Sequence, residues 1–364
     1  MSENFPPLAN YPVSPVAPEA PQQPPRESVK GGFRSCLLLG LGLVVGGLLV
    51  WNLFWLFRPR MEMPPRLREV YVSHEKRARD RVAIISLSGM IVDEEDGFVK
   101  RQIDQALQDE NVKAVVLRIN SPGGTITDSD FLYHHLSKLR GKKPLVVSMG
   151  SVAASGGYYV AMAVGNQADC IFAEPTTWTG SIGVLIFHMN VQELLSRLGV
   201  EAGSITSAPL KDMGSIFRKM TEEERELFQS LVDKSLARFK EVIKNGRPKF
   251  AENPETLDKV ATGQIFTAQE AKELGLVDRI GFIEDAVERA IELAGLDPAN
   301  VCVIRYKREL SLSDLFWGGQ IALALDWEVA LLRWRDRLAA GFPRAYYLMN
   351  FVPGELDWRA AVRP

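Results

Sequence analysis

VKAVVLRINSPGG, residues 112–124, is the stretch whose reading decides the fold. A run of mainly β-branched and apolar residues, broken only by Lys113 and Arg118, fits a strand buried on both faces, and Asn-Ser-Pro-Gly-Gly ends it in a glycine turn. The segment before it, DGFVKRQIDQALQDE (96–110), carries apolar residues at helical spacing, and RVAIISLSGMI (81–91) before that reads as another strand. The same cycle continues downstream. TDSDFLYHHLSKLRG (127–141) reads as helix, KKPLVVSMGS (142–151) as buried strand, SGGYYVAMAVG (155–165) as helix, and DCIFAEPTTWTGSIGV (169–184) as a strand leaving into a loop. Strands and helices alternating at this spacing predict an α/β class domain, a largely parallel sheet with helices outside it, over residues 81–300. TEEERELFQSLVDKSLARFKEVIKNG (221–246) predicts one long helix, capped by Thr221 with Glu224 three residues on and suited to serve as an arm or interface.

Outside that core the composition changes. Residues 1–35 are crowded with proline and lack apolar periodicity, so a disordered tail is expected. CLLLGLGLVVGGLLVWNLFWLF (36–57) has Asn52 as its only strongly polar side chain, and as a helix at 1.5 Å per residue it would extend about 33 Å, enough to cross a lipid bilayer. No small-x-small cleavage site precedes the Arg58-Pro59-Arg60 flank, so an uncleaved anchor is expected rather than a signal peptide. A charged juxtamembrane linker (58–80) follows. Residues 301–364 form a C-terminal extension in which 310–342 alternate apolar and charged residues at helical spacing, suited to an interface or to packing on the domain. More Lys and Arg follow the apolar span than precede it, which by charge alone would place the large domain in the cytoplasm, although long domains translocate largely regardless of charge.

Net charge is only -2 and no basic stripe interleaves with aromatics, which argues against a nucleic-acid partner. Cys36, Cys170 and Cys302 are too dispersed for a disulfide framework or a CxxC site, and His74, His134, His135 and His188 show no metal-binding spacing, so neither metal nor other cofactor is expected.

In parallel α/β folds the chemistry sits beyond the carboxyl ends of strands. Three loops fit that position: NSPGGT (120–125), GSVAASGG (150–157) and TGSIG (179–183). Ser155 stands where a strand gives way to a helix, and Gly156 and Gly157 after it allow a close backbone approach by substrate. Ser155 could be a nucleophile or simply a helix cap. The first glycine of a Gly-x-Ser-x-Gly elbow is missing, which disfavours an α/β-hydrolase. A serine needs a base, and the histidines are poorly placed; the other activator is a lysine whose ammonium is destabilised by burial. Lys211 in SAPLKDMGS, with Asp212 as its only close charged neighbour, is the best candidate, a surface lysine being the alternative. Gly123 and Gly124 are either an ordinary turn or backbone oxyanion donors.

The ordered set NSPGG, GSVAASGGYYVA, TGSIGV and LKDMGS behind an N-terminal apolar span resembles the signal peptide peptidase A family of bacterial serine proteases over roughly residues 81–295. The resemblance implies a ClpP/crotonase-like fold and a Ser-Lys dyad, with Ser155 as nucleophile, Lys211 as general base, and Ser181 as the serine that hydrogen-bonds the lysine amine. It strengthens Gly123 and Gly124 as oxyanion donors. It also implies an endopeptidase acting on remnant signal peptides or other apolar peptides, a single-pass inner-membrane anchor through 36–57, an extracytoplasmic catalytic domain, and a homo-oligomer, because the chain carries one catalytic repeat. Whether one chain completes the dyad or a neighbour does is left open. A crotonase-like acyl-CoA enzyme and a non-catalytic membrane scaffold are the rival readings; the first predicts acyl-CoA turnover surviving Ser155→Ala, the second a function indifferent to both dyad residues.

Overall fold

The computed structural model describes residues 46–47, residues 67–309 except 93 and 96, and the backbone of 345–348. The expected tail (1–35), the apolar span (36–57, apart from the helical Gly46 and Gly47) and the amphipathic stretch 310–342 lie outside the described residues. Among the described residues no helix is long and apolar enough to cross a membrane.

In chain order the elements are β1 (Leu67–His74), β2 (Arg81–Ser88), α1 (Phe98–Gln108), β3 (Val112–Ser121), β4 (Gly123–Thr125), α2 (Ile126–Arg140), β5 (Leu145–Ala154) and α3 (Gly156–Ala161). There follow β6 (Ile171–Ala173), β7 (Trp178–Gly180), β8 (Leu185–Ile186), α4 (Gln192–Arg197), α5 (Glu222–Gly246), α6 (Pro248–Glu252) and α7 (Pro254–Val260). The last are β9 (Ile265–Thr267), α8 (Ala268–Leu274), β10 (Arg279–Ile280), α9 (Ile283–Leu293), β11 (Cys302–Arg308) and β12 (Ala345–Leu348).

The main sheet runs β1-β11-β2-β3-β5-β6-β10, with β7 joined to the far end of β5 and β9 to β7. Every pairing in it is parallel except β1 with β11 and β7 with β9. The α/β class with a mostly parallel sheet is therefore as expected. Val115, Val116, Leu117 and Ile119 of β3 and Val146 and Val147 of β5 are fully buried, so helices cover both faces, and each such side chain contributes about 2 kcal/mol of hydrophobic stabilisation. On α1 the buried residues Val99, Gln102, Ile103 and Ala106 recur at i, i+3, i+4 and i+7. Gln102 is polar for a reason. β11 pairs with β2 only along Arg81–Ile84, and beyond it the Gln102 amide donates to the Ser86 carbonyl (3.1 Å) while its Oε1 accepts from the Ser86 N–H (3.0 Å).

The sheet is wider than the 81–300 span expected from sequence. β1 falls within the expected linker and β11 within the expected extension, yet they pair antiparallel, Tyr71 opposite Ile304, while β11 lies parallel to β2. Val303 and Ile304 are buried there, which the short alternating CVIRYKR run allows. The long helix is as predicted: Glu224 N–H donates to Thr221 Oγ1 (3.2 Å) and Thr221 N–H to Glu224 Oε2 (2.9 Å), closing the capping box. Its C-terminal half packs Phe239, Val242 and Ile243 into the core, whereas Leu227 and Leu231 in its first half are exposed.

Candidate active site

The three loops singled out in the sequence meet at one end of the sheet. Register places Ser121, at the end of β3, opposite Ala153, and Ala153 and Ala154 opposite Thr179 and Gly180 of β7. Thr179 Oγ1 donates to the Ala153 carbonyl (2.6 Å) and Thr177 Oγ1 to the Gly150 carbonyl (2.6 Å), stitching the TGSIG strand to β5. Beneath the loops Arg118 pairs with Glu174 and donates to Ser148 Oγ (2.9 Å), so charges inside the sheet end are compensated.

Ser155 is the hinge of this arrangement. Its backbone sits at φ 51, ψ -114, a region that non-glycine residues occupy only when their surroundings enforce it. Two hydrogen bonds do so: Ser155 N–H donates to the Gly180 carbonyl (2.8 Å), and Tyr159 N–H donates to the Ser155 carbonyl (2.8 Å), starting α3. The side chain does not cap the helix. Ser155 is fully buried, and its Oγ has no hydrogen-bond partner among the described residues. A strained turn that holds a buried, unbonded hydroxyl does not fit the capping alternative; it leaves the oxygen available to a reacting group.

Gly123 and Gly124 lie against this turn. Gly123 adopts φ 104, and its N–H is taken by Ser121 Oγ (3.1 Å). A Cβ at Gly124 would lie 1.9 Å from the Ile91 carbonyl oxygen, and one at Gly156 would lie 2.5 Å from Ser129 Oγ and 3.1 Å from the Gly124 nitrogen. Only glycine permits this approach, and it brings the Gly124 amide to the residue after Ser155. Of the two glycines, 124 is thus the better placed for an oxyanion donor. Ser181, the other serine of the set, is buried and also has positive φ (50); its N–H donates to the Gln264 carbonyl (2.7 Å), which ties its loop to the start of β9.

Lys211 is placed differently. It is exposed, in a run of turns from Pro209 to Gly214, its N–H donating to the Ala208 carbonyl (3.1 Å), and no hydrogen bond joins it to Ser155 or Ser181. The burial expected of a lysine base is not found within one chain. The turns it sits on are nonetheless anchored. Arg218 donates to both Asp212 Oδ1 (2.7 Å) and the buried Glu224, and by those bonds holds both carboxyls below their usual range. In the segment that precedes Lys211, Phe187 (70% exposed), Leu194, Leu198 (68%) and Ile205 face solvent among polar residues such as Glu193 and Arg197. None of the histidines touches Ser155; His74 meets Glu288 (3.1 Å), His134 and His135 meet edge to face on α2, and His188 is exposed.

Sequence reasoning passed over Ser121 and Ser129. Ser129, on α2, is fully buried, donates to the Thr125 carbonyl (2.8 Å) and meets Gly156. The signal was Thr125 with Asp128: Thr125 caps α2, accepting from Asp128 N–H (3.1 Å), and so fixes the glycine strand to the helix behind it. The C-terminal strand β12, which lies between β4 and β8, was also unforeseen.

Comparison with known proteins identifies the family. The model described as Peptidase family S49 matches residues 137–297, and that described as Clp protease matches residues 71–177. The chain is 39% identical over 223 residues to "Putative protease slr0021" of Synechocystis sp., covering 61% of this chain and 78% of that one. It is 33% identical over 285 residues to "Putative signal peptide peptidase SppA" of Enterococcus faecium, covering 74% and 79%. It is 37% identical to "Protease 4" of Salmonella typhi but spans only 35% of that protein's length. Among solved structures, a point mutant of ClpP1 from Listeria monocytogenes aligns with a TM-score of 0.38 at 16% identity, over 56% of this chain and 94% of that one. With the family model matched over residues 137–297 and relatives of 39% and 33% identity matched along most of their length, this chain belongs to peptidase family S49, the SppA-type serine peptidases.

Proposed function

We propose that the protein is a membrane-anchored endopeptidase that cleaves remnant signal peptides or other apolar peptides with a Ser155-Lys211 dyad completed between copies of the chain. The observation that carries this reading is the Ser155 turn: a strained, buried hydroxyl with no hydrogen-bond partner among the described residues, followed by Gly156, against which the Gly124 amide lies. Lys211 stands on an anchored but exposed run of turns, and the segment before it leaves Phe187, Leu194, Leu198 and Ile205 open to solvent, side chains that a second copy of the chain could cover. Burial against a neighbouring copy would remove its ammonium from water and favour the neutral amine, as a general base requires.

In the chemistry that follows, Lys211 Nζ takes the Ser155 proton as Oγ attacks the scissile carbonyl carbon. The resulting oxyanion is held by backbone N–H groups, that of Gly124 foremost, and Ser181 orients the lysine amine. Collapse expels the amine fragment with the proton from Lys211. Lys211 then deprotonates water, which attacks the acyl-Ser155 ester and releases the acid fragment and the serine. Residues 36–57 would hold this site at the bilayer, where apolar peptides concentrate, with the catalytic domain on the extracytoplasmic side.

The test is hydrolysis of an apolar signal-peptide substrate by the full chain in detergent micelles. Ser155→Ala and Lys211→Ala are each expected to lose turnover with the circular dichroism spectrum unchanged. Mixing and reassembling the two inactive variants is expected to restore part of it, because one supplies the serine and the other the lysine. Full activity in either single variant overturns the dyad, and no recovery on mixing overturns its completion between copies.

A further inference from the structure

The helix that Ser155 opens, α3, is only six residues long, and its first hydrogen bond, from Tyr159 N–H to the Ser155 carbonyl (2.8 Å), is one of the two that hold the strained turn. Where Tyr159 sits therefore fixes where the Ser155 backbone points. Tyr159 is fully buried, its ring edge-on to Tyr133 of α2 (centroids 5.5 Å apart) and tilted against Phe239 of α5 (5.1 Å). A phenylalanine would fill that space equally well, so the hydroxyl needs its own explanation. It donates to Asp130 Oδ1 on α2, and the same oxygen accepts from Arg238 Nη2 on α5 (3.2 Å), whose Nη1 donates to Glu241 (3.1 Å). The Asp130 and Arg238 side chains are 44% and 45% exposed, so guanidinium, carboxylate and phenol form a chain running from solvent to the buried turn. One position before Asp130, Ser129 stands against Gly156, and α2 thus meets the nucleophile turn at two successive residues. An ion pair this exposed adds little to stability. As an orienting contact it is better placed, because it fixes the carboxylate that takes the phenol in a charge-assisted bond.

We infer that Tyr159, Asp130 and Arg238 are positioning residues for the reaction: together they pin the first turn of α3 and so keep the strained Ser155 backbone, and with it Oγ, where the nucleophile is needed. The inference rests on the reading of Ser155 as nucleophile. The three act through the backbone, since Ser155 Oγ itself has no hydrogen-bond partner among the described residues. A non-glycine residue at φ 51 relaxes unless its surroundings hold it, and the Tyr159 amide is part of that hold. Loss of the phenol hydroxyl leaves serine, lysine and ring packing in place but lets the turn relax part of the time. The fraction of correctly placed nucleophile then falls, which lowers kcat and leaves KM unchanged.

The experiment measures kcat and KM for an apolar signal-peptide substrate on the full chain in detergent micelles, with hydrogen exchange on the same samples. Tyr159→Phe and Asp130→Ala are each expected to lower kcat about tenfold with KM within about twofold. Combining them should cost no more than about twofold beyond the weaker single variant, because both cut one link. Asp130→Asn, which still offers the phenol an acceptor, should retain most of the parent kcat. In Tyr159→Phe the amides of Ser155 and Tyr159 should exchange faster while β3 stays protected. A parent kcat in Tyr159→Phe overturns the inference, as do unaltered exchange at 155 and 159, a fall of about a hundredfold in the double variant, or Asp130→Asn as slow as Asp130→Ala. Should Tyr159→Phe not fold, Arg238→Ala cuts the chain at its exposed end: kcat is expected to drop about threefold at constant KM and to recover in Arg238→Lys, and a parent kcat in Arg238→Ala overturns the inference. Hydrolysis that survives Ser155→Ala fells the nucleophile reading alone, and the exchange rates at 155 and 159 still show whether the three residues pin the turn.

Discussion

The turn around Ser155 and the segment around Lys211 are built in opposite ways. The first is finished within one chain: Ser155 is fully buried, its strained backbone is held by Gly180 and Tyr159, and glycine 124 fits a space that no Cβ could enter. The second is tied down by Arg218 between Asp212 and Glu224 and by the Val191 N–H donating to the Ile216 carbonyl (2.8 Å), and presents Lys211 to solvent. Under the proposed dyad, the two halves act only when something brings them together. A second copy of the chain would do so.

The sharpest way to break that comparison is to remove each half separately. Ser155→Ala and Lys211→Ala should each lower kcat/KM for a signal-peptide substrate by about 10⁴-fold or more, the usual scale for losing one member of a nucleophile-base pair, with melting temperature within a few degrees of the parent. A retained rate in Lys211→Ala would leave the exposed segment without a catalytic role. Next in size is crowding of the rigid half. Gly124→Ala places a methyl 1.9 Å from a backbone oxygen that cannot swing away, and should destabilise the fold by about 3 kcal/mol, the upper range for overpacking, together with loss of turnover. Denaturant melts check the first effect and hydrolysis the second; an unperturbed Tm would show that the glycine strand is loose.

The anchor of the second half can be cut without touching the first. Arg218→Gln should reduce kcat about tenfold while leaving KM nearly unchanged, because Lys211 remains but is less often in place. Acid should act in the same direction. Asp212 and Glu224 are held below their ordinary range by the Arg218 hydrogen bonds, so the stabilisation they supply is complete above the unfolded carboxylate pKa of about 4 and is lost as pH falls through the lower folded values. Limited proteolysis between residues 205 and 220 should therefore stay slow from neutral pH down to about 4 and quicken below it, and Arg218→Gln should remove that dependence. The smallest expected change in stability, under about 0.5 kcal/mol, comes from Leu198→Ser on the exposed surface, yet sedimentation should show a smaller assembly. An unchanged assembly would assign that apolar surface to something other than subunit contact.

Much of the rigid half was legible in the primary structure, because its determinants are local. The VKAVVLRIN run is buried as a strand, the serine between AA and GG stands at a strand-to-helix turn, and Thr221 with Glu224 caps the long helix. Each of these follows from residues within a few positions of one another. Ser129 was missed since its importance lies in facing Gly156, 27 positions away in the chain, and nothing in its neighbours announces that. β1 and β11 were read as linker and extension because half-polar strands carry weak patterns and gain their stability from pairing with their neighbours.

The amino-acid sequence by itself determined the α/β class, the order of the motifs, the apolar span at 36–57 and the residue types a serine-lysine chemistry would use, since periodicity and turn chemistry are written in adjacent residues. The tertiary structure alone decided that the Gly123-Gly124 strand lies against Gly156, that Lys211 is exposed, and that the C-terminal strand lies between β4 and β8. Those outcomes depend on contacts between segments tens to hundreds of residues apart, where steric fit and backbone pairing, not local preference, select the arrangement.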